Sequence, residues 1–265
     1  MNEAILGGLI AGGTDPADIV ATVRRAERAD ELAKRHHGIT AIAGAEEPEN
    51  NKQAATGSGV VILGVKPVGI ADLAREIGDS LAPDAIVISV AAAVSLEQLE
   101  AALPAGQPVI RSMPNTPAQL GRGVISVSPG THCSPAQLQL AKDLLAAAGT
   151  VVEIPEQQVD ALSAISGSGP AYAFYLAEAM AAAGVELGLD PELSLLIARE
   201  TVAGAGFMLA EPGADPTALR KAVTSPNGTT ERAIATFDAR GLPAIIAEGA
   251  RAAAARAAEI TKQLG

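Results

Sequence analysis

Cysteine, aromatic residues and basic charge are all scarce in this chain of 265 residues. Cys133 is the single cysteine, which excludes an intrachain disulfide, and the three scattered histidines do not make a structural zinc site with it. Aromatic residues account for 2% of the sequence and hydrophobic residues for 48%, so the apolar side chains are mostly those of alanine, valine, leucine and isoleucine. Alanine-rich helices can approach one another closely, so this composition favours tight helix packing or an intertwined oligomer.

The charge and the hydropathy pattern limit the kinds of molecule and the cellular location that we expect for this chain. The formal net charge is −11 and there is no long basic run, so we expect neither nucleic acid nor an anionic membrane surface as a partner. The first residues, Met1 to Glu3, lack the basic-then-apolar pattern of a signal peptide. The uncharged stretch at 161–177 is too short to span a bilayer and contains glycine, serine and proline. We therefore expect a cytoplasmic protein.

The first half of the chain alternates continuous Val/Ile runs with helical patterns. The runs that read as strands are residues 18–23, 39–43, 59–65, 85–90 and 108–112. The helical patterns between them are residues 25–37, 68–81 and 95–103. Such runs, separated by helices, predict parallel strands covered on both faces, which is a doubly wound, Rossmann-like α/β sheet.

After Pro155 the pattern changes to long alanine-rich helices without a convincing strand. Turn and N-cap residues punctuate these helices, for example at Asp190-Pro191 and Ser225-Pro226. The last stretch, 244–264, reads as one packing helix. We therefore predict a dinucleotide-binding domain at 1–153, followed by an all-α domain at 154–265.

The beginning of the sequence departs from the usual pattern of a nucleotide domain, which opens with a strand, a glycine-rich turn and a helix that faces the pyrophosphate. Here the chain begins inside a helical pattern, so the first strand is missing, and no G-x-G-x-x-G motif is present. Gly7-Gly8 and Gly12-Gly13 follow no strand, so we expect them to serve helix packing and a turn. Either the recorded start lies downstream of the true one, or dinucleotide binding has been lost. We expect the former, because the other site motifs are intact.

The most informative stretch is residues 222–231, AVTSPNGTTE. Pro226 and Gly228 favour a tight turn into a helix that begins near Thr229. Free backbone N–H groups at a helix start are a ready site for a carboxylate, and Gly228 allows a ligand to approach closely. An ordinary capping turn is the alternative, because Ser- and Thr-rich turns open many helices.

Three further stretches carry candidate site residues. Residues 166–172, SGSGPAY, combine capping serines with two glycines that permit close approach, either of a ligand or of another helix. Val65-Lys66-Pro67 ends a buried strand, at the edge where doubly wound sheets bind ligands. Lys66 there is either a contact to a nucleotide or a solvated loop lysine. Residues 113–117, MPNTP, end a later strand with the same two interpretations.

Taken together and in this order, these four stretches resemble the pyrroline-5-carboxylate reductase family. The family's long signature matches 222–231, and the SGSGPAY, VKP and MPNTP motifs match residue for residue. The resemblance covers essentially the whole chain. It implies a reduction of 1-pyrroline-5-carboxylate, a cyclic imino acid, to L-proline by hydride transfer from NAD(P)H. It also implies a helical domain that intertwines two subunits, with homodimers that commonly assemble into a decamer.

The resemblance also implies residue roles by position. Thr230 resembles the hydroxyl that hydrogen-bonds the ring nitrogen and is the candidate catalytic residue. The implied substrate contacts are Ser225, Asn227, Gly228, Thr229 and Thr230. The implied cofactor contacts are Arg24, Arg25, Asn51, Val65, Lys66, Pro67, Ala91, Ala92, Pro114 and Asn115. No metal is expected. Two positions depart from the family, because Ala93 and Asn227 stand where glycine is usual; asparagine tolerates a left-handed turn.

The choice of cofactor depends on the loop after the second strand of the nucleotide domain, where an acidic residue favours NAD and arginines favour NADP. This chain has Arg24 and Arg25 there, with Arg28 one turn further on. We therefore expect NADPH to be preferred, with NADH possible. The alternative is that these arginines merely begin a solvated helix.

Two other functions remain open at this point. A β-hydroxyacid dehydrogenase or related imine reductase also pairs a nucleotide domain with helices, but such enzymes usually depend on a lysine in the helical domain. Between residues 156 and 258 the only lysine is Lys221, and we expect it beside the Thr-rich turn instead of within a helix. A non-catalytic dimeric scaffold is the alternative that the absent glycine-rich loop supports.

Overall fold

The computed structural model describes residues 1–47 and 49–264 of the chain. It divides into two compact units: residues 1–167 together with the end of the last helix from Ala254, and residues 168–253. The strands are β1 Val20–Val23, β2 Thr40–Ala43, β3 Val60–Leu63, β4 Ile86–Ser89, β5 Val109–Pro114, β6 Gly123–Pro129 and β7 Gly149–Glu153. The helices are α1 Asn2–Ala11, α2 Ala26–Arg35, α3 Asn50–Ala55, α4 Ile70–Ile77, α5 Leu96–Ala102, α6 Pro135–Ala146, α7 Val159–Leu162, α8 Gly169–Glu186, α9 Pro191–Leu209, α10 Pro216–Ala222, α11 Thr229–Ala239 and α12 Leu242–Leu264.

The predicted α/β class is confirmed, and the five strands expected from the sequence are β1 to β5. Strands β1 and β2 pair in parallel as a sheet of their own. The second sheet has the order β3-β4-β5-β6-β7, in which β3, β4 and β5 are parallel. No strand precedes α1 in the described residues.

The structure adds two strands that the sequence patterns did not predict, and β6 runs antiparallel to β5. The reason lies in the connection between them, which contains only residues 115–122. A parallel crossover needs a dozen or more residues, usually with a helix, whereas a short connection reverses the chain. After β6, helix α6 provides such a crossover, and β7 is parallel to β6.

The five-stranded sheet is covered on both faces, as the continuous Val/Ile runs predict. Ile86 and Ile88 belong to the hydrophobic cluster that also contains Ile5 of α1 and Leu145 of α6. Val87, which lies between them in β4, belongs to the opposite cluster, together with residues of α4 and α5. Successive side chains of a strand point to opposite faces, so a strand buried on both sides must be apolar throughout.

Helix α1 packs through its glycines, as expected. A Cβ atom at Gly8 would lie 3.1 Å from the carbonyl oxygen of Ala147, and one at Gly12 would lie 2.9 Å from the Cβ of Ala147. These glycines therefore allow α1 to approach the end of α6 closely.

The segment after β7 packs within the first unit. Arg111 of β5 is buried, and one of its terminal nitrogens lies 2.9 Å from Oε1 of Glu156. The same carboxylate oxygen accepts a hydrogen bond of 2.7 Å from the N–H of Leu96, at the start of α5. The compact unit accordingly continues past Glu153 as far as Gly167, whereas the strand pattern ends at Glu153.

The described residues of the second unit contain helices and no strand, and α11 begins at Thr229 as predicted. The expectation for Lys221 was wrong, because this lysine lies in the last turn of α10. Helix α10 cannot be recognised from the sequence, since its seven residues are too few to show a helical periodicity. No helix in the described part of the chain is both long and apolar enough to cross a membrane.

Helices α8 and α9 touch at Gly184 and Ser194. Ser194 is 1% exposed, and its hydroxyl donates a hydrogen bond of 2.6 Å to the carbonyl oxygen of Ala181. A Cβ atom at Gly184 would lie only 2.0 Å from that hydroxyl oxygen. The packing of the two helices therefore depends on a glycine at this position.

We expect Gly184→Ala to destabilise the protein by about 1–3 kcal/mol, because the added methyl group displaces Ser194 and breaks its hydrogen bond. The free energy of unfolding in urea measures the effect. Gly249→Ala in α12 is the matched control, since among the described residues no atom outside the neighbouring backbone of its own helix lies within 4 Å of its Cβ position. Equal stability of the two variants would contradict this account of the helix contact.

Candidate active site

The carboxyl ends of β3, β4 and β5 meet at one edge of the sheet because these strands are parallel. Residues 65–67 follow β3, residues 91–93 follow β4, and Asn115 follows β5. Ligands of open α/β sheets bind outside this edge. The structure thus brings three of the sequence-predicted cofactor segments together within the first unit.

The segment after β3 offers a free positive charge. Lys66 is exposed and has no acidic partner among the described residues, and its carbonyl oxygen accepts a hydrogen bond from the N–H of Gly69. Val65 beside it is 45% exposed, and Pro67 opens a short 3₁₀ turn. The ammonium group of Lys66 is therefore available to an anionic ligand.

The segment after β4 is a tight loop with a left-handed residue. The N–H of Ala91 donates to the hydroxyl of Ser89 at 3.4 Å, and Ala92 is exposed. Ala93 has φ of +62°, a conformation in which a Cβ atom costs about 1–2 kcal/mol. Ala93 thus adopts a backbone conformation that glycine would adopt at lower cost.

Asn115 lies at the predicted edge, but its side chain is already engaged. Its Oδ1 accepts a hydrogen bond of 2.9 Å from the N–H of Val124, and its Nδ2 donates one of 2.8 Å to the carbonyl oxygen of Ser166. This amide joins the MPNTP motif to the SGSGPAY motif, whose first residues end a π-helical turn at Ser163–Gly167. Pro114 beside it is buried.

The arginines after β1 differ in whether their guanidinium groups are already paired with a carboxylate. Arg24 and Arg25 are exposed, and neither has an ion-pair partner among the described residues. Arg28 forms ion pairs with Glu3, at 2.5 Å, and with Glu31, at 2.9 Å. The first two guanidinium groups are therefore free for a phosphate, whereas Arg28 holds α1 against α2.

Asn51, the expected contact on the adenosine side, donates a hydrogen bond of 3.0 Å to Glu76 of α4. Its neighbour Asn50 is 4% exposed, and its amide nitrogen lies 3.3 Å from the carbonyl oxygen of Ile42 and 3.5 Å from that of Val23. Asn50 therefore links α3 to the ends of β1 and β2. The sequence reasoning missed it because adjacent helical residues differ by about 100° in direction, and a short helix does not reveal which one faces inward.

Helix α1 begins at this same edge. The side-chain amide of Asn2 donates a hydrogen bond of 2.8 Å to the carbonyl oxygen of Gly64, directly after β3. Glu3 in the first turn of α1 contacts Arg28, Arg35 and His36. Partial burial alone would raise the pKa of the Glu3 carboxyl, but the hydrogen bonds from Arg28, His36 and Arg35 outweigh it and lower the pKa.

The substrate motif forms a turn in the second unit. The N–H of Gly228 donates to the carbonyl oxygen of Ser225 at 3.0 Å, and Asn227 has φ of +60°. A Cβ atom at Gly228 would lie 2.5 Å from the hydroxyl of Ser225, so only glycine fits there. The first bond of α11 joins the N–H of Arg232 to the carbonyl oxygen of Gly228, which leaves the N–H groups of Thr229 and Thr230 ahead of the helix ladder.

The side chains around this turn are well disposed for a small anionic ligand. Thr230 is half-buried, and its hydroxyl has no hydrogen-bond partner among the described residues. Ser225, Asn227 and Thr229 are exposed. Glu231 accepts a hydrogen bond from the N–H of Asn227, a contact that the sequence reasoning missed because it gave no role to the residue after Thr230. The turn combines backbone donors, hydroxyl groups and a glycine that permits close approach.

In the part of the chain that the structure describes, no three His, Cys, Asp or Glu side chains are grouped so as to hold a metal ion. Cys133 is half-buried, and burial raises the pKa of its thiol, so the thiol stays protonated near neutral pH.

Lys66 follows β3 at this edge, and Arg24 and Arg25 follow β1 of the other sheet. Free cationic groups of this kind suit the phosphates of a dinucleotide. The fold and this edge define the class of two-domain, dinucleotide-dependent oxidoreductases.

Comparison with known proteins identifies relatives of this chain within that class of oxidoreductases. The profile of the family described as pyrroline-5-carboxylate reductase dimerisation matches residues 156–260, and that of the NADP oxidoreductase, coenzyme F420-dependent family matches residues 1–93. A pyrroline-5-carboxylate reductase of Pseudomonas aeruginosa is 39% identical over 266 aligned positions, which cover 100% of this chain and 95% of the relative. One of Corynebacterium melassecola is also 39% identical and covers 99% and 96%.

A solved structure supports the same assignment. The pyrroline-5-carboxylate reductase of Coxiella burnetii is 34% identical to this chain, with a TM-score of 0.90 over 98% of this chain and 94% of that one. The chain belongs to the pyrroline-5-carboxylate reductase family. These matches do not favour the two alternative functions, a β-hydroxyacid dehydrogenase or related imine reductase and a non-catalytic dimeric scaffold.

We expect Glu3→Gln to lower the free energy of unfolding by about 1–2 kcal/mol at pH 7, because it removes the charge that Arg28, Arg35 and His36 contact. The folded-state pKa of Glu3 is lowered, so this stability is present above the unfolded-state value and is lost as the pH falls through the folded-state value. The difference between wild type and variant should therefore begin to shrink near the unfolded-state value of about 4.3 and disappear below the lower folded-state value.

Urea unfolding at pH 7 and at about pH 3 measures this difference. Glu31→Gln is the control, because Glu31 contacts Arg28 alone and its side chain is 58% exposed. A loss for Glu3→Gln that is independent of pH, or no larger than that of the control, would contradict the role of the charge.

Proposed function

We propose that this chain reduces 1-pyrroline-5-carboxylate to L-proline by hydride transfer from NAD(P)H, with Thr230 orienting the ring nitrogen. The observation that carries the proposal is the turn before α11, where a left-handed Asn227 and Gly228 deliver free N–H groups and the Thr230 hydroxyl. The membership of the chain in the family supports it.

The substrate contacts follow from this turn. The N–H groups of Thr229 and Thr230 precede the helix ladder and receive the substrate carboxylate, and the lack of a Cβ atom at Gly228 lets that carboxylate approach. Ser225 and Asn227 line the same turn. A cyclic imino acid carries both its carboxylate and its nitrogen within reach of such a short segment.

The chemical demands on the protein are small. A protonated imine is already electrophilic, so the chain needs no strong general acid and instead holds, orients and shields the ring. NAD(P)H supplies the hydride when it is bound. The Thr230 hydroxyl accepts a hydrogen bond from the iminium N–H and keeps the ring carbon aimed. Hydride addition leaves a neutral secondary amine, which takes up a proton from water, and the same hydroxyl can relay that proton.

The cofactor half of the proposal uses residues at the ends of β1, β3, β4 and β5, together with Asn51 of α3. Lys66 and the exposed arginines, Arg24 and Arg25, meet phosphate groups, and the arginines favour NADPH through its 2′-phosphate. The remaining proposed contacts are Asn51, Val65, Pro67, Ala91, Ala92, Pro114 and Asn115. Because the amide of Asn115 is engaged within the protein, its proposed contact runs through main-chain atoms.

The helical unit carries an apolar surface that suits self-association. On α8 and α9, Phe174 is 68% exposed, Tyr175 is 71% exposed and Leu195 is 57% exposed. Large exposed apolar patches mark association surfaces, and the family profile matched at 156–260 is described as a dimerisation domain. We propose a homodimer that assembles further into a decamer and acts in the cytoplasm.

The function is tested by proline formation from 1-pyrroline-5-carboxylate with NADPH. We expect Thr230→Val to lower kcat/KM at least about tenfold, since a site hydrogen bond is lost while the volume is kept. Thr236→Val is the control, because its hydroxyl bonds only to the carbonyl oxygen of Arg232, within the same helix. Near-normal turnover by Thr230→Val would remove Thr230 from the mechanism, and hydroxyacid oxidation without proline formation would overturn the function.

The preference for NADPH predicts a selective effect of the free arginines. We expect the double change Arg24→Ala, Arg25→Ala to raise KM for NADPH at least about tenfold and KM for NADH less than about threefold, because only NADPH offers the 2′-phosphate. Initial rates with both cofactors measure this. Lys34→Ala, an exposed cation of α2, is the control. A wild-type preference for NADH would contradict the assignment.

A further inference from the structure

The turn before α11 is held by more than its own hydrogen bond. Residues 225–228 have proline at the second position, a positive φ at the third, and a bond of 3.0 Å between the Gly228 N–H and the Ser225 carbonyl oxygen. These are the features of a type II turn. In such a turn the N–H of the third residue, here Asn227, takes no part in the closing bond.

The carboxylate of Glu231 accepts a hydrogen bond from this remaining N–H group. Its Oε2 lies 2.8 Å from the nitrogen of Asn227, so the carboxylate reaches back from the first turn of α11 over the preceding turn. The contact joins the turn to the helix start as one structural piece. Glu231 follows Thr230 directly, and its side chain has no other hydrogen-bond or ion-pair partner among the described residues.

The turn needs such a restraint because Asn227 is left-handed. Asparagine tolerates this region better than most other residues that carry a Cβ atom, but the conformation is still less favourable for it than for glycine. The same turn fixes Gly228 against Ser225, where a Cβ atom would meet the serine hydroxyl at 2.5 Å. If the turn relaxed, the N–H groups of Thr229 and Thr230 would lose their common direction.

We propose that Glu231 is a positioning residue for the reaction: by holding the Asn227 N–H, it keeps the turn in the conformation that presents the start of α11 to the substrate carboxylate. This inference rests on the proposed function of the turn. In this role Glu231 acts through Asn227 and Gly228, and it needs no contact with the reacting atoms.

Glu231 has two opposing effects on substrate binding: its negative charge weakens binding, and its hydrogen bond to Asn227 favours it. A carboxylate near a site for an anionic substrate repels that substrate, whereas the hydrogen bond to Asn227 needs only an acceptor. The two effects are separable because glutamine keeps an acceptor oxygen at the same reach without the charge, and alanine removes both. A comparison of the two neutral variants isolates the hydrogen bond.

The experiment measures steady-state kinetics of Glu231→Gln and Glu231→Ala with 1-pyrroline-5-carboxylate and NADPH. KM for the imino acid should be about fivefold higher in the alanine variant than in the glutamine variant, the range expected for one hydrogen bond. The ratio of the two kcat values should stay within about twofold, and KM for NADPH should be equal in both. Equal KM values for the imino acid, or a difference confined to kcat, would overturn the proposal.

A second measurement does not depend on activity. Amide hydrogen exchange of the segment 224–232, in the wild-type protein without ligand, reports whether the Asn227 N–H is held. The alanine variant should exchange faster there by about fivefold or more, and the glutamine variant should resemble wild type. If the wild type fails to reduce the imino acid, the proposed function fails, yet this exchange pattern still tests the restraint. Equal exchange in all three proteins would refute it.

Discussion

The parallel pairing of β3, β4 and β5 is the constraint on which the nucleotide-binding unit depends. Parallel strands end at the same edge, so three segments distant in sequence come together there without any contact being specified between them. The same pairing demands apolar side chains on both faces, which α1 and α6 cover on one side and α4 and α5 on the other. One backbone arrangement thus dictates both the core and the position of Lys66.

In the helical unit, the candidate substrate contacts are mainly backbone N–H groups, whereas many enzymes use charged side chains for this purpose. The candidate substrate turn contains no catalytic histidine and no pair of carboxylates, and its donors are N–H groups at the start of α11. This suits an electrophile that is already charged, because positioning then contributes more than acid–base chemistry. The single acidic residue next to the turn, Glu231, binds a backbone N–H of the turn itself.

The sequence predicted those features that depend on neighbours along the chain. Strands β1 to β5, the start of α11 and the cap at Asp190, which accepts from two backbone N–H groups, all follow from periodicity and turn residues. What it could not predict depends on tertiary partners: the two interactions of the Asn115 amide, the pairing of Arg28 with Glu3, and the antiparallel β6. A side chain at a motif position has several possible partners, and only the fold decides between them.

The backbone strain of the protein is concentrated in the two predicted half-sites. Among the described residues, Ala93 and Asn227 are the non-glycine residues with positive φ, one in the cofactor loop and one in the substrate turn. The resemblance predicts glycine at both positions, and each residue carries a conformational cost that glycine would avoid. Each strained segment also has a side-chain acceptor for a nearby N–H, Ser89 for Ala91 and Glu231 for Asn227. Strain of this kind persists where surrounding contacts determine the conformation, so these two acceptors are part of what keeps each half-site in shape.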